Sequence, residues 1–206
     1  HPRVRRQRQM CIRDRYLALA EIDTSGTVVQ SNVKIISIEQ TKNDSSDSSQ
    51  KTYQGPSGSL ITNIKYQDKD RLICMYDDSI HLIANDKDEE LINNDNKKIT
   101  FSSIQLNNNI VNIEEKSSGL FTADSIVNIT NIDNKSQKTY MVEDVTKEIY
   151  TFENIIALNL GVEVEFINTN GDLVKRYIAN QEITNMVVSN SIAGIIYRDR
   201  IEIINL

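Results

Sequence analysis

The chain has 206 residues, 39% of them hydrophobic, with two prolines and no tryptophan, a composition suited to one globular domain with a sizeable core. No run of about 18 apolar residues occurs, so no membrane-spanning helix is expected. The formal net charge of −6 argues against binding a phosphate backbone, which needs clustered Lys and Arg.

The first fifteen residues, HPRVRRQRQMCIRDR, differ from everything after them. They hold six arginines and one of the two cysteines. At face value this is a basic arm for nucleic acid or acidic lipid. RQRQMCIRDR, however, resembles the translation of sequencing-library adapter, so residues 1–15 are set apart from the fold as a non-native segment. Without them the body is still more acidic. It retains one cysteine, Cys74, and so forms no intramolecular disulfide.

From residue 16 onward the chain repeats. YLALA (16–20) opens the first unit, and four later units open on Ile61-Thr62, Ile99-Thr100, Val145-Thr146 and Ile183-Thr184. The threonines step by 38, 46 and 38 residues. About ten residues after each opening comes an apolar run: LICM (72–75), IVNI (110–113), IIAL (155–158) and IAGI (192–195). Aligned with YLALA, these runs share a small slot at Ala18, Cys74, Asn112, Ala157 and Gly194.

An alternating strand follows each run: Val33-Lys34-Ile35, Ile80-His81-Leu82, Val127-Asn128-Ile129, Val162-Glu163-Val164 and Ile201-Glu202-Ile203. Apolar–polar–apolar is the period of a half-buried strand. A more polar strand comes last in four units: QKTYQ (50–54), EELIN (89–93), QKTYM (137–141) and LVKRY (173–177). The pentapeptide SQKTY stands at 49–53 and again at 136–140.

Four short strands in about 40 residues is the period of a propeller blade. The second strand is apolar on both faces because blades stack and bury it. The fourth carries Lys, Gln and Arg because it lies at the rim. Asn170-Gly171 marks a tight turn between the third and fourth strands. The expected fold is therefore all-β, an incomplete β-propeller of four to five four-stranded blades. The units are 16–55, lacking its first strand, then 60–93, 98–142, 145–179 and 183–206, the last lacking its fourth. Further blades upstream are expected to supply a closing strand.

YLALAEIDTSGTVVQSNVKIISIE (16–39) and AGIIYRDRIEIINL (193–206) resemble an uncharacterised family of low-GC Gram-positive bacteria. Its members look like WD40- or quinoprotein-type propellers behind an N-terminal membrane helix. The resemblance covers most of residues 16–206 and implies a propeller on the outer side of the plasma membrane, tethered by an anchor absent from this chain. It assigns no activity and no functional residues. The absence of tryptophan departs from the Trp-rich blades of quinoproteins and from the Trp-Asp dipeptide of WD40 repeats.

No catalytic, cofactor-binding or metal-binding set stands out, and no cofactor is expected. His81 shares its slot with Lys34, Asn128, Glu163 and Glu202, which reads as the polar face of a strand rather than a general base or ligand. Cys74 reads as a small core residue, with nothing cationic beside it to form a thiolate. Asp86, Asp88, Glu89 and Glu90 lie at a turn but lack the glycine and ligand spacing of a calcium loop. Phosphate-loop, paired-cysteine, nucleophile-elbow and zincin motifs are missing.

One feature points to a surface. The connection between the second and third strands is long in the first unit (21–32) and the third (114–126), and each insertion has Ser-Gly before apolar residues: Ser25-Gly26-Thr27-Val28-Val29 and Ser118-Gly119-Leu120-Phe121. Insertions on one face of a repeat protein often mark its binding face. Val28, Val29, Leu120 and Phe121 are thus candidates for a protein-partner surface, against the alternative that each insertion packs on its own blade. The leading expectation is a non-catalytic interaction or scaffold propeller at the cell envelope. The alternatives are a hydrolase or lyase with its site in a central channel, or a carbohydrate- or small-ligand-binding module.

Overall fold

The computed structural model describes residues 8–13, 16–38, 50–93, 99–104, 108–117 and 123–206. Five antiparallel sheets follow one another along the chain, each joined in simple sequence order. The first contains β1 (Arg8–Arg13), β2 (Tyr16–Asp23), β3 (Gln30–Ser37) and β4 (Gln50–Ser57). The second contains β5 (Ile61–Tyr66), β6 (Arg71–Tyr76), β7 (Ser79–Ala84) and β8 (Lys87–Asn93). The third contains β9 (Ile99–Ile104), β10 (Asn109–Ser117), β11 (Ala123–Asn131) and β12 (Gln137–Val142). The fourth contains β13 (Glu148–Phe152), β14 (Ile155–Asn159), β15 (Glu163–Asn168) and β16 (Leu173–Ile178). The fifth has three strands, β17 (Asn185–Val188), β18 (Ile192–Ile196) and β19 (Ile201–Asn205). Successive four-stranded meanders are the blades of a β-propeller.

Residues 1–97 and 98–206 form two compact units. In the first unit, Ala18, Ala20 and Val33 of the first sheet share a core with Leu72, Cys74, Tyr76 and Ile83 of the second. In the second unit, the fourth sheet is buried on both sides. Ile156, Leu158 and Ile167 pack with Val111, Ile113, Val127 and Ile129 of the third sheet. Ile155, Ala157, Val164 and Phe166 pack with Met186, Val188, Ala193 and Ile195 of the fifth. Sandwiching explains why β14 is buried along its whole length.

Three expectations need correction. The first sheet was expected to lack its first strand. Instead β1 pairs with β2 over six residues, from Arg8↔Glu21 to Arg13↔Tyr16. An unpaired strand edge accepts any neighbouring extended segment through backbone hydrogen bonds, whatever that segment's origin.

The shared small slot is not one structural position. Ala18 and Ala157 face the sheet that follows, whereas Cys74 faces the sheet before it. Asn112 pairs with Asn128 and lies on the opposite side of β10 from Val111 and Ile113. Cys74 is nonetheless a core residue at 0% exposure, and burial pushes its thiol well above the ordinary range.

The polar slot of the third strands is not a solvent-facing row either. By register the fourth-sheet member is Glu165, not Glu163, because Val164 pairs with Tyr177 as Val127 pairs with Tyr140. His81, Asn128 and Glu165 are only 8%, 4% and 3% exposed. Each is held by neighbours. His81 Nδ1 lies 3.0 Å from Asp88 Oδ1 and its ring meets Tyr76 edge-on at 5.1 Å. Asn128 donates to Glu114 at 2.6 Å, and Lys34 is paired with Glu21 at 2.8 Å.

This slot explains the repeated pentapeptide. The Lys-x-Tyr of a fourth strand reaches forward to the next blade. Tyr140 donates to Glu165 at 3.0 Å, and Lys138 Nζ donates to Asn170 Oδ1 at 2.9 Å in the following turn. Tyr177 donates to Glu202, and Lys175 reaches the Asn205 carbonyl. Lys51 pairs with Asp86, and Tyr53 packs against the first-unit core. The motif is a polar clasp at the rim of a blade junction.

Candidate functional site

The loop carrying Val28 and Val29 is shorter than its insertion in sequence. β2 and β3 remain paired out to Asp23↔Gln30, leaving residues 24–29 as the connection. Its ends are tied down. Asp23 Oδ1 accepts the Ser25 N–H at 2.9 Å, and the Val29 carbonyl accepts the Gly58 N–H at 3.1 Å. Between these ties Val28 stands 52% exposed, while Val29 is half-buried. The structure thus separates the two valines: Val28 forms the apolar tip and Val29 anchors it to its own blade. In the third sheet β10 and β11 likewise stay paired to Ser117↔Ala123. Leu120 and Phe121 lie outside the described residues.

A second concavity was not singled out in the sequence. A cleft of about 330 Å³ opens in the first unit between its two sheets, walled by Tyr16, Tyr53 and Tyr66 over Leu72 and Ile83. The Lys51–Asp86 pair closes one side. Burial, followed by the nearby Asp86 charge, raises the Tyr53 hydroxyl above its ordinary pKa, so it stays protonated and able to donate. The signal was spread over five segments of the chain, with no motif to unite them.

The acidic turn is divided among other duties. Asp86 pairs with Lys51, Asp88 with His81, and Glu90 accepts from Asn93 at 3.0 Å. Among the described residues no group of three or more His, Cys, Asp and Glu side chains is placed to hold a metal ion. None of the described helices is long and apolar enough to cross a membrane.

No protein-family model and no curated protein sequence matches the chain. Its fold does have close likenesses among solved structures. Kluyveromyces lactis Hsv2 superposes with a TM-score of 0.61 at 12% identity, covering 96% of this chain and 61% of Hsv2. The N-terminal domain of Nup159 gives a TM-score of 0.52 at 10% identity, over 85% of this chain and 49% of that one. The chain thus spans about three-fifths of the length of the first of these and half of the second. Blades and likenesses together define an all-β, incomplete β-propeller, and at such identity they define the fold alone.

Proposed function

We propose that the chain is part of a non-catalytic propeller that binds a partner protein, with Val28 at the contact and Val29, Leu120 and Phe121 as the other residues proposed for partner binding. The observation that carries this reading is Val28, an apolar side chain 52% exposed on a loop fixed at both ends. A pre-ordered apolar tip loses little conformational entropy on binding. Placement at a bacterial cell envelope rests on the resemblance of residues 16–39 and 193–206. A photo-crosslinking residue at position 28 is expected to give a discrete adduct in cells, and Val28→Asp to abolish binding with Tm changed by no more than about 1 °C. Loss of several degrees in Val28→Asp with partner binding unchanged would show that Val28 serves packing alone.

The tyrosine-walled cleft favours a second reading, a module for a small polyhydroxylated ligand. Tyrosine faces stack on the apolar side of such a molecule, and their hydroxyls bond its rim.

A further inference from the structure

Three loops of the first unit meet at one end of its two sheets: 24–29 between β2 and β3, 58–60 between β4 and β5, and 77–78 between β6 and β7. Two buried serines fasten them together. Ser31 Oγ donates to the Ser59 carbonyl at 2.8 Å and accepts the Ile61 N–H at 3.0 Å. Ser59 Oγ donates to Asp78 Oδ2 at 2.6 Å. The Leu60 N–H donates to Asp77 Oδ1 at 2.7 Å, and the Asp77 N–H donates to the Leu60 carbonyl at 2.9 Å. A Cβ on Gly58 would stand 3.7 Å from Val28 Cγ1, so the valine lies over that glycine. These bonds hold two aliphatic side chains out in water, Val28 at 52% exposure and Leu60 at 42%. Beside them stand half-buried acids. Segments 24–31, 56–61 and 76–79 contain two aspartates, Asp77 and Asp78, and no Lys or Arg. Neither enters an ion pair among the described residues, whereas Glu21, Asp68 and Asp86 of the same unit meet Lys34, Arg71 and Lys51. Asp77 uses Oδ1 for the Leu60 N–H, which leaves Oδ2 for an incoming donor.

Resting on the reading of Val28 as a contact, we propose that the partner protein is basic there: it presents a lysine or arginine whose methylene stem lies on Leu60 and Val28 while its cation meets Asp77. Lysine and arginine combine an apolar stem with a cationic head. The bond between Asp77 and the Leu60 backbone keeps the acid beside the aliphatic group, the juxtaposition that such a side chain matches. A second copy docking through the same face would bring aspartates towards aspartates, a like-charge contact. An acidic partner is disfavoured for the same reason.

Fluorescein-labelled peptides Gly-Ser-Leu-X-Leu-Ser-Gly, with arginine, citrulline or glutamate at X, probe the charge on the unaltered chain. Citrulline keeps the shape of arginine and removes its charge. The arginine peptide is expected to bind about tenfold tighter than the citrulline peptide at about 50 mM salt, and to lose most of that advantage at about 500 mM. Asp77→Asn keeps an acceptor for the Leu60 N–H, so Tm should hold within about 1 °C while the arginine advantage disappears. Asp77→Lys should pass the advantage to the glutamate peptide, and Leu60→Ser should weaken binding of all three. Equal binding of the arginine and citrulline peptides, or an arginine advantage that survives in Asp77→Asn, overturns the basic partner. Equal binding that is lost in Val28→Ser leaves Val28 a contact and overturns the charge alone. Binding of none of the three overturns the inference as well, and the adduct at position 28 then decides the Val28 contact by itself.

Discussion

Tyr177 shows how one side chain joins two blades. Its hydroxyl donates to Glu202 and lies 2.9 Å from the Tyr197 hydroxyl. The bond to Tyr177, then that to Arg200, holds the Glu202 carboxyl below its ordinary range. The bond to Glu202 in turn raises the Tyr177 hydroxyl. Both shifts carry a sign. A lowered carboxylate stabilises above its unfolded pKa of about 4.3 and loses that contribution as pH falls through its folded value. A raised tyrosine stabilises below about 10 and loses the contribution as pH rises through its folded value. Tyr177→Phe should therefore lower Tm by a constant amount between about pH 5 and 9, and the gap to the parent should narrow at both ends. Thermal unfolding across pH 2 to 11 measures it, and a gap of equal size at every pH would refute the coupling. Arg200 still holds Glu202 at 2.8 Å, so the acid side should narrow less than the alkaline side.

At the scale of the strand, Gly55 follows the first QKTYQ and lies directly over the second sheet. A Cβ there would stand 2.6, 2.7 and 2.8 Å from Cε1, Oη and Cζ of Tyr76. Tyr76 is 2% exposed, so its ring has little room to retreat. Gly55→Ala should cost about 1–3 kcal/mol, read by denaturant unfolding, and adding Tyr76→Phe should recover part of it. A neutral Gly55→Ala would mean the strand shifts freely. Strands also show where the sequence stopped being legible. Blade number, strand order and burial of the second strands follow from the repeat, because Ile-Thr openings and SQKTY recur at fixed distances. The phase of those strands does not. When both faces are apolar the alternation vanishes, and a one-residue slip leaves no trace in the sequence. Asn112 and Cys74 were misphased for that reason. The polar slot misled differently. Lys, His, Asn and Glu in one column suggest water, yet Lys34, His81 and Asn128 are held by Glu21, Asp88 and Glu114 of their own sheets, and Glu165 by Tyr140, which only the packed blades bring near. The cleft was hidden because Tyr16, Tyr53 and Tyr66 lie in different strands.

At the scale of the molecule, the boundary between the two compact units falls at 97/98, after β8. The outer strand there reads KDEELIN and lacks the Lys-x-Tyr found in β4, β12 and β16. Within 98–206, cohesion runs through the fourth sheet, whose alternate residues belong to two cores. Ile156 looks to the third sheet and Phe166 to the fifth. A shared sheet cannot lose one core and keep the other, because its strands stay in place only while both faces are covered. Ile156→Ala should therefore cost about 2–5 kcal/mol and Phe166→Ala about 3–5. Each should lower the protection of β11 and β18 amides together, although each side chain touches only one of those sheets. Hydrogen exchange resolved by residue makes the comparison. If Phe166→Ala loosened β18 and left β11 at its parent rate, the blades of this unit would be separate blocks, held together by the rim clasps rather than by a continuous core.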